Sequence, residues 1–491
     1  MDLVPGIDPN SGAALHRQVY ESLRTAILDG SLRAGARLPA TRALAEQLSL
    51  SRSTVADAYD QLQAEGYIKG RHGSGTYVAP NLPDDVLPRA AKAMGRLDVS
   101  NVDFQLSAWG SRVVQAGPQV APEGVSLQSY SYDFRPHRVA QDLFPWDAWR
   151  TGVDHALNSD RDSLFYAPAA GHPILRETIA RHVAKHRAVH CTPDQIVIVN
   201  GTQQGLNLLA ELLLESGECV AVEDPGYPAA RLSLEARGLN VCRLPVDREG
   251  LIVDHVVNRG PFRLIHVTPS HQDPTGSTLS LSRRLALLDE ARRTDCVIVE
   301  DDYDSEFRYE GRPVESLQGL DRGDLVVYAG TFSKSVLAGL RIGFLVLPRR
   351  LVQPFIAAKS AWDSGAPMLE QLALVAFMQS GAFERHIRRM RRLYRARRDA
   401  LVEALAGSFG SRVQVGERHG GLNILVGLDL SVSADIAAAR AAAAGIALRP
   451  VSSYYVHPPV QATFLMGFAA VSENTITEGI RLLERVLNTV P

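Results

Sequence analysis

Leu15, Val19, Leu23 and Ile27 recur every four residues, Tyr20 and Ala26 fill out the same stripe, and Gly30 closes it. That spacing predicts one amphipathic helix. After Leu38-Pro39, a shorter apolar set of Leu44, Ala45 and Leu48 predicts a second, with Thr41 placed to cap it. Ser49-Leu50 make a brief turn. Ser51 is then placed to cap a third helix that buries Val55, Ala58, Tyr59 and Leu62 at i, i+3, i+4 and i+7 and ends near Gly66. Tyr67-Ile68-Lys69 and Thr76-Tyr77-Val78 flank the glycine-rich run at 70–75, which predicts a β-hairpin. Two short helices across a small turn, followed by such a hairpin, predict a winged helix-turn-helix over residues 1–80.

The pattern changes at Pro80. Pro80-Asn81-Leu82-Pro83-Asp84-Asp85 begins a linker that runs over 81–130, with Gly117-Pro118 and Pro122-Glu123-Gly124 at its far end. A short helix is expected within Arg89 to Leu106. So long a tether lets the first domain sit far from its own second domain, against a partner chain. From about Tyr132 short apolar runs alternate with helical segments such as Leu281–Arg293. The strands expected are Ile196–Val199, Cys219–Val222, Leu264–Val267, Cys296–Glu300, Leu325–Tyr328 and Phe344–Leu347. This alternation predicts an α/β domain over 131–491 with a mostly parallel central sheet. A smaller C-terminal α+β subdomain is expected over about 370–491. The alanine-rich run at 437–444 reads as helix.

Composition narrows the partners. A chain of 491 residues suggests roughly three domains at about 150 residues each. No apolar run approaches the ~20 residues that span a bilayer, so no membrane partner is expected. No basic region followed by a hydrophobic stretch opens the chain, so a cytoplasmic location is expected. The net charge of −2 excludes a polycation, and residues 1–80 hold eight basic and eight acidic side chains. Any nucleic-acid contact must therefore come from a local patch. Cys191, Cys219, Cys242 and Cys296 lack Cys-x-x-Cys spacing and read as buried free thiols, and no metal site is expected.

In a helix-turn-helix the start of the second helix enters the major groove of double-stranded DNA. Here that start carries Ser51, Arg52, Ser53 and Thr54. Arg52 suits a guanine edge, and the hydroxyls suit phosphates. Arg42 is placed for the backbone, and Arg71 and His72 on the wing for phosphates or a minor groove. The alternative is a solvated polar face on a small helical bundle.

Different chemistry gathers in the second half. Ligands of parallel sheets bind at the carboxyl ends of strands. Lys334 ends the run Gly330-Thr331-Phe332-Ser333-Lys334 after one expected strand, and Asp301 follows another. A carboxylate keeps a pyridinium nitrogen protonated, a lysine amine can form a Schiff base, and Arg341 can grip a phosphate bidentately. Asn200-Gly201-Thr202-Gln203-Gln204 opens a helix whose N–H groups suit a phosphate. Tyr227 in Asp224-Pro225-Gly226-Tyr227 offers a ring that could stack on a planar cofactor. Taken singly, Asp301 reads as a helix cap, Lys334 as a surface charge and Tyr227 as packing. Together they point to pyridoxal 5'-phosphate.

Two resemblances cover almost the whole chain. Residues 13–79 resemble the winged-helix domain of the GntR family. The stretches that carry it are Leu38-Pro39-Ala40-Thr41-Arg42, Ser51-Arg52-Ser53-Thr54-Val55, Ala64-Glu65-Gly66-Tyr67 and His72-Gly73-Ser74-Gly75-Thr76. Residues 132–491 resemble a fold-type I aminotransferase, and the fusion resembles the MocR subfamily of bacterial transcription regulators. Those stretches are Asp224-Pro225-Gly226-Tyr227, 269–276 (PSHQDPTG), 300–307 (EDDYDSEF) and Gly330-Thr331-Phe332-Ser333-Lys334. The first resemblance implies operator contacts from Arg42, Arg52 and the wing around Gly73. The second implies that Lys334 forms the Schiff base with pyridoxal phosphate, Asp301 pairs with the pyridine nitrogen and Tyr303 bonds the ring's phenolic oxygen. It further implies that Tyr227 stacks on the ring and that Thr202, Gln203, Thr331, Ser333 and Arg341 surround the phosphate. A homodimer with heads crossed to the partner chains is implied as well.

Three departures from the aminotransferase pattern stand out. Asp273 replaces the usual asparagine before Pro-Thr-Gly, and must find a donor or face away. The stretch at 464–468 lacks the arginine that clamps a substrate carboxylate, although Arg449 precedes it. The run at 136–140 (PHRVA) replaces a glycine-containing entrance loop. Arg385 to Arg398 holds eight arginines, read as an amphipathic helix with Ile387, Met390 and Tyr394 inward rather than as a second DNA surface. The function expected is a transcription regulator that senses an amine or amino-acid effector, or pyridoxal phosphate itself. An active aminotransferase with an accessory head is the alternative.

Overall fold

The computed structural model describes residues 7–8, 12–71, 74–82, 105–116, 129–159, 162–165, 167–311 and 315–488. The chain divides into two compact units, Met1–Gln105 and Leu106–Pro491.

In the first unit, helices α1 (Leu15–Leu28), α2 (Thr41–Leu48) and α3 (Arg52–Ala64) precede a hairpin of β1 (Ile68–Arg71) and β2 (Gly75–Val78). The expected apolar stripes form its core: Val19, Leu23 and Ile27 from α1, Leu44 and Ala45 from α2, and Val55, Ala58, Tyr59 and Leu62 from α3. Ser51 caps α3 as expected, its side chain accepting the Thr54 N–H at 3.1 Å. Thr41 does not cap α2. Ala40 holds the extended cap position with no side-chain bond, and Thr41 is the first helical residue. The sequence does not announce one further feature. Residues 35–38 run beside β2, with Leu38 donating to the Thr76 carbonyl and Val78 to that of Ala36, both at 2.9 Å.

In the second unit an eight-stranded sheet carries the fold. Its strands are β4 (Ile196–Val199), β5 (Cys219–Asp224), β6 (Asn240–Asp247), β7 (Gly250–Leu251), β8 (Leu264–Val267), β9 (Val297–Asp302), β10 (Val326–Thr331) and β11 (Gly343–Val346), after a short β3 (Tyr132–Asp133) that lies elsewhere. The order is β4-β11-β10-β9-β8-β5-β6-β7. Strands β6, β5, β8, β9 and β10 are mutually parallel, while β11 is antiparallel to both neighbours and β7 to β6. The sheet is thus mixed but mostly parallel. All six expected strands are present. The unexpected β6 contains Arg243 and Pro245 and is buried at only one position, so its pattern lacks the continuous apolar run of a central strand.

Alternate residues feed two cores. Val220 and Val222 join one cluster, with Leu206 and Leu209 of a covering helix, and Ala221 joins the other, with Leu287 and Leu288 of a second helix. The helices that matter below are α4 (Ala108–Ala116), α5 (Trp146–Ser159), α6 (Pro173–Arg187), α7 (Thr202–Leu213), α8 (Pro228–Ala236), α9 (Leu281–Thr294), α10 (Arg349–Asp363) and α11 (Met368–Gln379). The helix expected within 89–106 falls on residues that are mostly outside those described. Within the span expected to be linker, α4 packs on α8, and Arg112 Nε donates to the Ala236 carbonyl at 2.7 Å.

The C-terminal part combines α12 (Ala382–Phe409), α13 (Ala434–Ala443) and α14 (Glu473–Asn488) with an antiparallel sheet of β12 (Val413–Val415), β13 (Asn423–Leu428) and β15 (Ala462–Gly467). A separate strand, β14 (Ile446–Ala447), pairs with β3, so the chain at 132–133 is built into this part. On α12, Ile387, Met390 and Tyr394 face inward as expected. Arg397 and Arg398 are buried too. Arg397 donates to the Ala469 carbonyl at 2.6 Å, and Arg398 pairs with Glu310 at 3.0 Å. The thiols depart from expectation. Only Cys296 is buried, while Cys219, first in β5, is exposed and Cys191 and Cys242 are half-buried.

Candidate cofactor cavity and nucleic-acid face

The carboxyl ends of β4, β5, β9 and β10 lie along one edge of the sheet, and the loops leaving them form a cavity of about 430 Å³. Lys334, Thr202, Gln203, Tyr227, Asp301, Tyr303, Thr331, Ser333 and Arg341 all line it. Residues up to 139 positions apart, such as Thr202 and Arg341, meet because the parallel strands β4, β5, β9 and β10 end at the same edge, where antiparallel β11 begins.

Asp301 sits next to the end of β9 and is 7% exposed. Its Oδ2 lies 3.4 Å from His266 Nε2 on β8. Its Oδ1 is buried and has no hydrogen-bond partner among the described residues. A buried carboxylate oxygen left unsolvated is unfavourable by itself and suits a cationic N–H donor. Behind it Glu223 accepts from Thr268 Oγ1 at 2.5 Å and Gln272 Nε2 at 3.2 Å. Burial pushes the Glu223 carboxyl up, against the pull of those bonds and of His266.

Tyr303 is pushed well above the usual phenol range by burial, and the charges of Asp304 and Asp273 add to this. It therefore stays a neutral O–H. Its hydroxyl lies 3.1 Å from His271 Nδ1, which also faces Asp304 at 3.0 Å. Burial alone would depress that imidazole, but the charge and hydrogen bond of Asp304 raise it above the ordinary histidine value.

At the other end of the cavity Gly201 precedes α7 with φ 90° and ψ 158°, a conformation close to glycine-only. A Cβ there would come within 2.8 Å of Arg341 Nη2, which donates to the Asn200 carbonyl at 3.1 Å. The start of α7, the Arg341 guanidinium and the hydroxyls of Thr331 and Ser333, 3.1 Å apart, line this end together, a donor set that suits an anion. Gln203 turns its amide to the Ala229 carbonyl at 3.1 Å, so its backbone rather than its side chain suits an anion.

The departures resolve in part. Asp273 is buried and lines the cavity, so it does not face away. Arg449 lines the same cavity, because its backbone is bonded to Leu465 of β15 (Leu465 N to Arg449 O, 2.9 Å). An arginine thus reaches the site from beside the strand that lacks one. His137 enters from the 136–140 run with φ 62°, held by Asn423 through its backbone N–H at 2.8 Å and its Nδ1 at 3.1 Å. Burial drives its imidazole well below the usual histidine value, and the Lys334 charge adds to this. His137 and His271 lie within the 136–140 and 269–276 stretches without having been picked out there as site groups, and His266 carries no local sequence signal.

In the first unit, Ser51, Arg52 and Ser53 are exposed at the start of α3, and Thr54 is half-exposed. The Ser51 hydroxyl is committed to the cap and to Ser53 and Thr54, at 2.8 and 2.7 Å. Arg42 is exposed on the first turn of α2 and pairs with Glu46 at 3.2 Å. Arg71 ends β1 with its guanidinium 5.0 Å from the Tyr77 ring centroid. His72 and Gly73 lie outside the described residues.

A winged helix-turn-helix joined in one chain to an aminotransferase-type α/β body defines a class of DNA-binding proteins with a cofactor-type fold. Residues 15–78 match the bacterial regulatory proteins of the gntR family, and residues 124–483 match aminotransferase class I and II. The chain is 38% identical to the probable rhizopine catabolism regulatory protein MocR of Rhizobium meliloti, covering 97% of this chain and 94% of that one. It is 32% identical to the HTH-type transcriptional regulator TauR of Rhodobacter capsulatus, covering 98% of each. Kynurenine aminotransferase of Pyrococcus horikoshii, solved in complex with PMP, has a TM-score of 0.68 at 27% identity over 82% of this chain and 98% of its own. The chain belongs to the MocR subfamily of GntR-type transcription regulators.

Proposed function

We propose that this protein controls promoters by binding operator DNA through its winged helix while its body holds pyridoxal phosphate and senses an amine or amino-acid effector, or the cofactor itself. The observation that carries this reading is the buried Asp301 Oδ1, without a partner among the described residues, in one cavity with Lys334. When bound, pyridoxal phosphate supplies an aldehyde that condenses with primary amines and a ring that withdraws electrons. Asp301 would keep a proton at the ring nitrogen, and Lys334 would be the covalent anchor. The neutral Tyr303 hydroxyl would donate to the ring's phenolic oxygen, and Tyr227 would cover a face of the ring. The α7 N-terminus, Thr331, Ser333 and Arg341 would hold the phosphate. Arg449 and His137 leave a cationic and a polar group in the rest of the cavity, which suits an effector carboxylate. In the head, Arg52 would read a base edge, with Arg42, Ser51, Ser53, Thr54 and Arg71 on the DNA backbone and His72 and Gly73 on the wing. Two heads, crossed between the chains of a cytoplasmic homodimer, would read two half-sites. An effector shifts this equilibrium only by binding one arrangement better than the other.

Arg449 also favours a second reading, a working aminotransferase with an accessory head. Incubating the purified protein with amino acids and 2-oxo acids separates the two. Rapid multiple-turnover transamination without sequence-specific DNA binding would reverse the preference. Lys334→Ala is expected to abolish the covalent cofactor absorbance and leave the fold intact. Effector control of operator binding that survives unchanged in that variant would refute sensing through the lysine.

A further inference from the structure

A second cavity, of about 380 Å³, shares only Thr331 with the first and is lined by a separate cluster of titratable side chains. His182 and His186 line it from one face of α6, one turn apart, with ring centroids 4.8 Å apart. Glu384, in the first turn of α12, reaches both. Its Oε1 lies 3.0 Å from His186 Nε2 and 3.7 Å from His182 Nδ1. On the far side of the His182 ring, Nε2 lies 4.0 Å from Oε1 of Glu306.

This arrangement exceeds what a hydrogen-bonded pair requires. A neutral imidazole carries one N–H, yet His182 presents each ring nitrogen to a different carboxylate. Two imidazoles at i and i+4 with a carboxylate from a second helix are ligands for a divalent ion of the zinc type. Around a tetrahedral ion with bonds of about 2.0–2.1 Å, neighbouring ligand atoms stand roughly 3.3 Å apart. The separations of 3.0 and 3.7 Å bracket that value, and since the three ligand atoms lie within 4.8 Å of one another, a small closure of the two imidazoles would bring all three onto one ion. Metal-bound histidines donate their second N–H to a carboxylate, and Glu306, 4.0 Å from His182 Nε2, stands on that side of the ring and would close in to accept it. Of the five cations lining the cavity, which include Lys185, Arg308 and Arg388, two are turned to other acceptors. Arg391 donates twice to the Glu306 carbonyl, at 3.0 and 2.8 Å, and Arg187 to Asp302 at 2.7 Å. The cavity leaves room for water as a fourth ligand.

We propose that His182, His186 and Glu384 bind a divalent transition-metal ion, with Glu306 as the positioning residue that orients His182. Such an ion would tie α6 to the start of α12. Glu306 lies three residues after Tyr303, so the same ion would stiffen the segment that carries this wall of the cofactor cavity.

The full-length protein, stripped with a chelator and dialysed, tests the proposal by titration calorimetry with Zn²⁺ and by the visible spectrum with Co²⁺. One saturable equivalent per chain is expected, with a rise in the thermal midpoint and the intense visible bands of a low-coordinate Co²⁺ site. His186→Ala and Glu384→Gln should each abolish that equivalent. Glu306→Gln should weaken it about 10–100-fold while keeping the stoichiometry. Circular dichroism and the metal-free melting curve establish that each variant is folded. Failure of the unaltered protein to bind Zn²⁺ saturably would overturn the site. So would Zn²⁺ binding that persists in folded Glu384→Gln, since the ion would then be held elsewhere, for example by the exposed Cys219.

Discussion

Asp301→Asn should separate the stability of the empty protein from its affinity for pyridoxal phosphate. The carboxylate is 7% exposed, and one of its oxygens lacks a partner among the described residues. A buried polar atom left unsatisfied costs about 1–3 kcal/mol, and more when charged. The amide removes the charge and keeps an acceptor for His266, so the empty variant should be as stable as the parent or more stable by about that amount. Cofactor binding should move the other way. A hydrogen bond to a charged group contributes about 1.5–3 kcal/mol, so its loss weakens binding roughly 10–150-fold at 1.4 kcal/mol per tenfold. Urea unfolding of the empty protein and an absorbance titration with pyridoxal phosphate measure the two terms. Affinity within threefold of the parent would show that Asp301 does not meet the ring nitrogen. Destabilisation of the empty variant by about 2 kcal/mol or more would show that the carboxylate has a structural partner and is not held in reserve for a ligand.

Arg52→Ala should weaken specific operator binding by about 1–3 kcal/mol if the side chain reads a base; an unchanged gel shift would move recognition elsewhere on the head. Gly201→Ala forces a side chain into φ 90° and against Arg341, so it should destabilise the body by about 1–3 kcal/mol and weaken binding of the cofactor phosphate; a variant with parental stability and affinity would refute the anion site. Burial holds the His386 imidazole down at about 4, with the Arg389 charge adding to this. Its contribution is therefore complete above the unfolded value of about 6.5 and is lost as pH falls toward 4, by about 3 kcal/mol at most. His386→Phe should flatten that part of the acid dependence in urea titrations at pH 7 and 4.5, and an unchanged slope would place the acid sensitivity elsewhere.

Much of this protein is determined by local sequence. The three helices of the head follow from their apolar spacing, and Ser51 announces its cap, because helix periodicity and capping are properties of neighbouring residues. The six expected strands were legible because burial on both faces demands continuous apolar runs, as in the all-buried β4 and β8. Strand β6 was not, since it is fully buried at one position only and carries Arg243 and Pro245 where such a run would be. Nine of the residues that line the cofactor cavity were legible from motifs at strand ends, yet their meeting depends on crossovers that the sequence specifies only in sum. Arg449, His137 and His266 show the limit. Arg449 and His137 line the cavity from backbones fixed by Leu465 and Asn423, and His266 reaches Asp301 from the neighbouring strand, so the placement of each depends on partners distant in sequence. The pair His182 and His186 is visible as a helical spacing. Glu384, 198 residues beyond His186, joins them only when α12 closes against α6, because side chains converge through packing free energy summed over the whole body rather than through any local pattern.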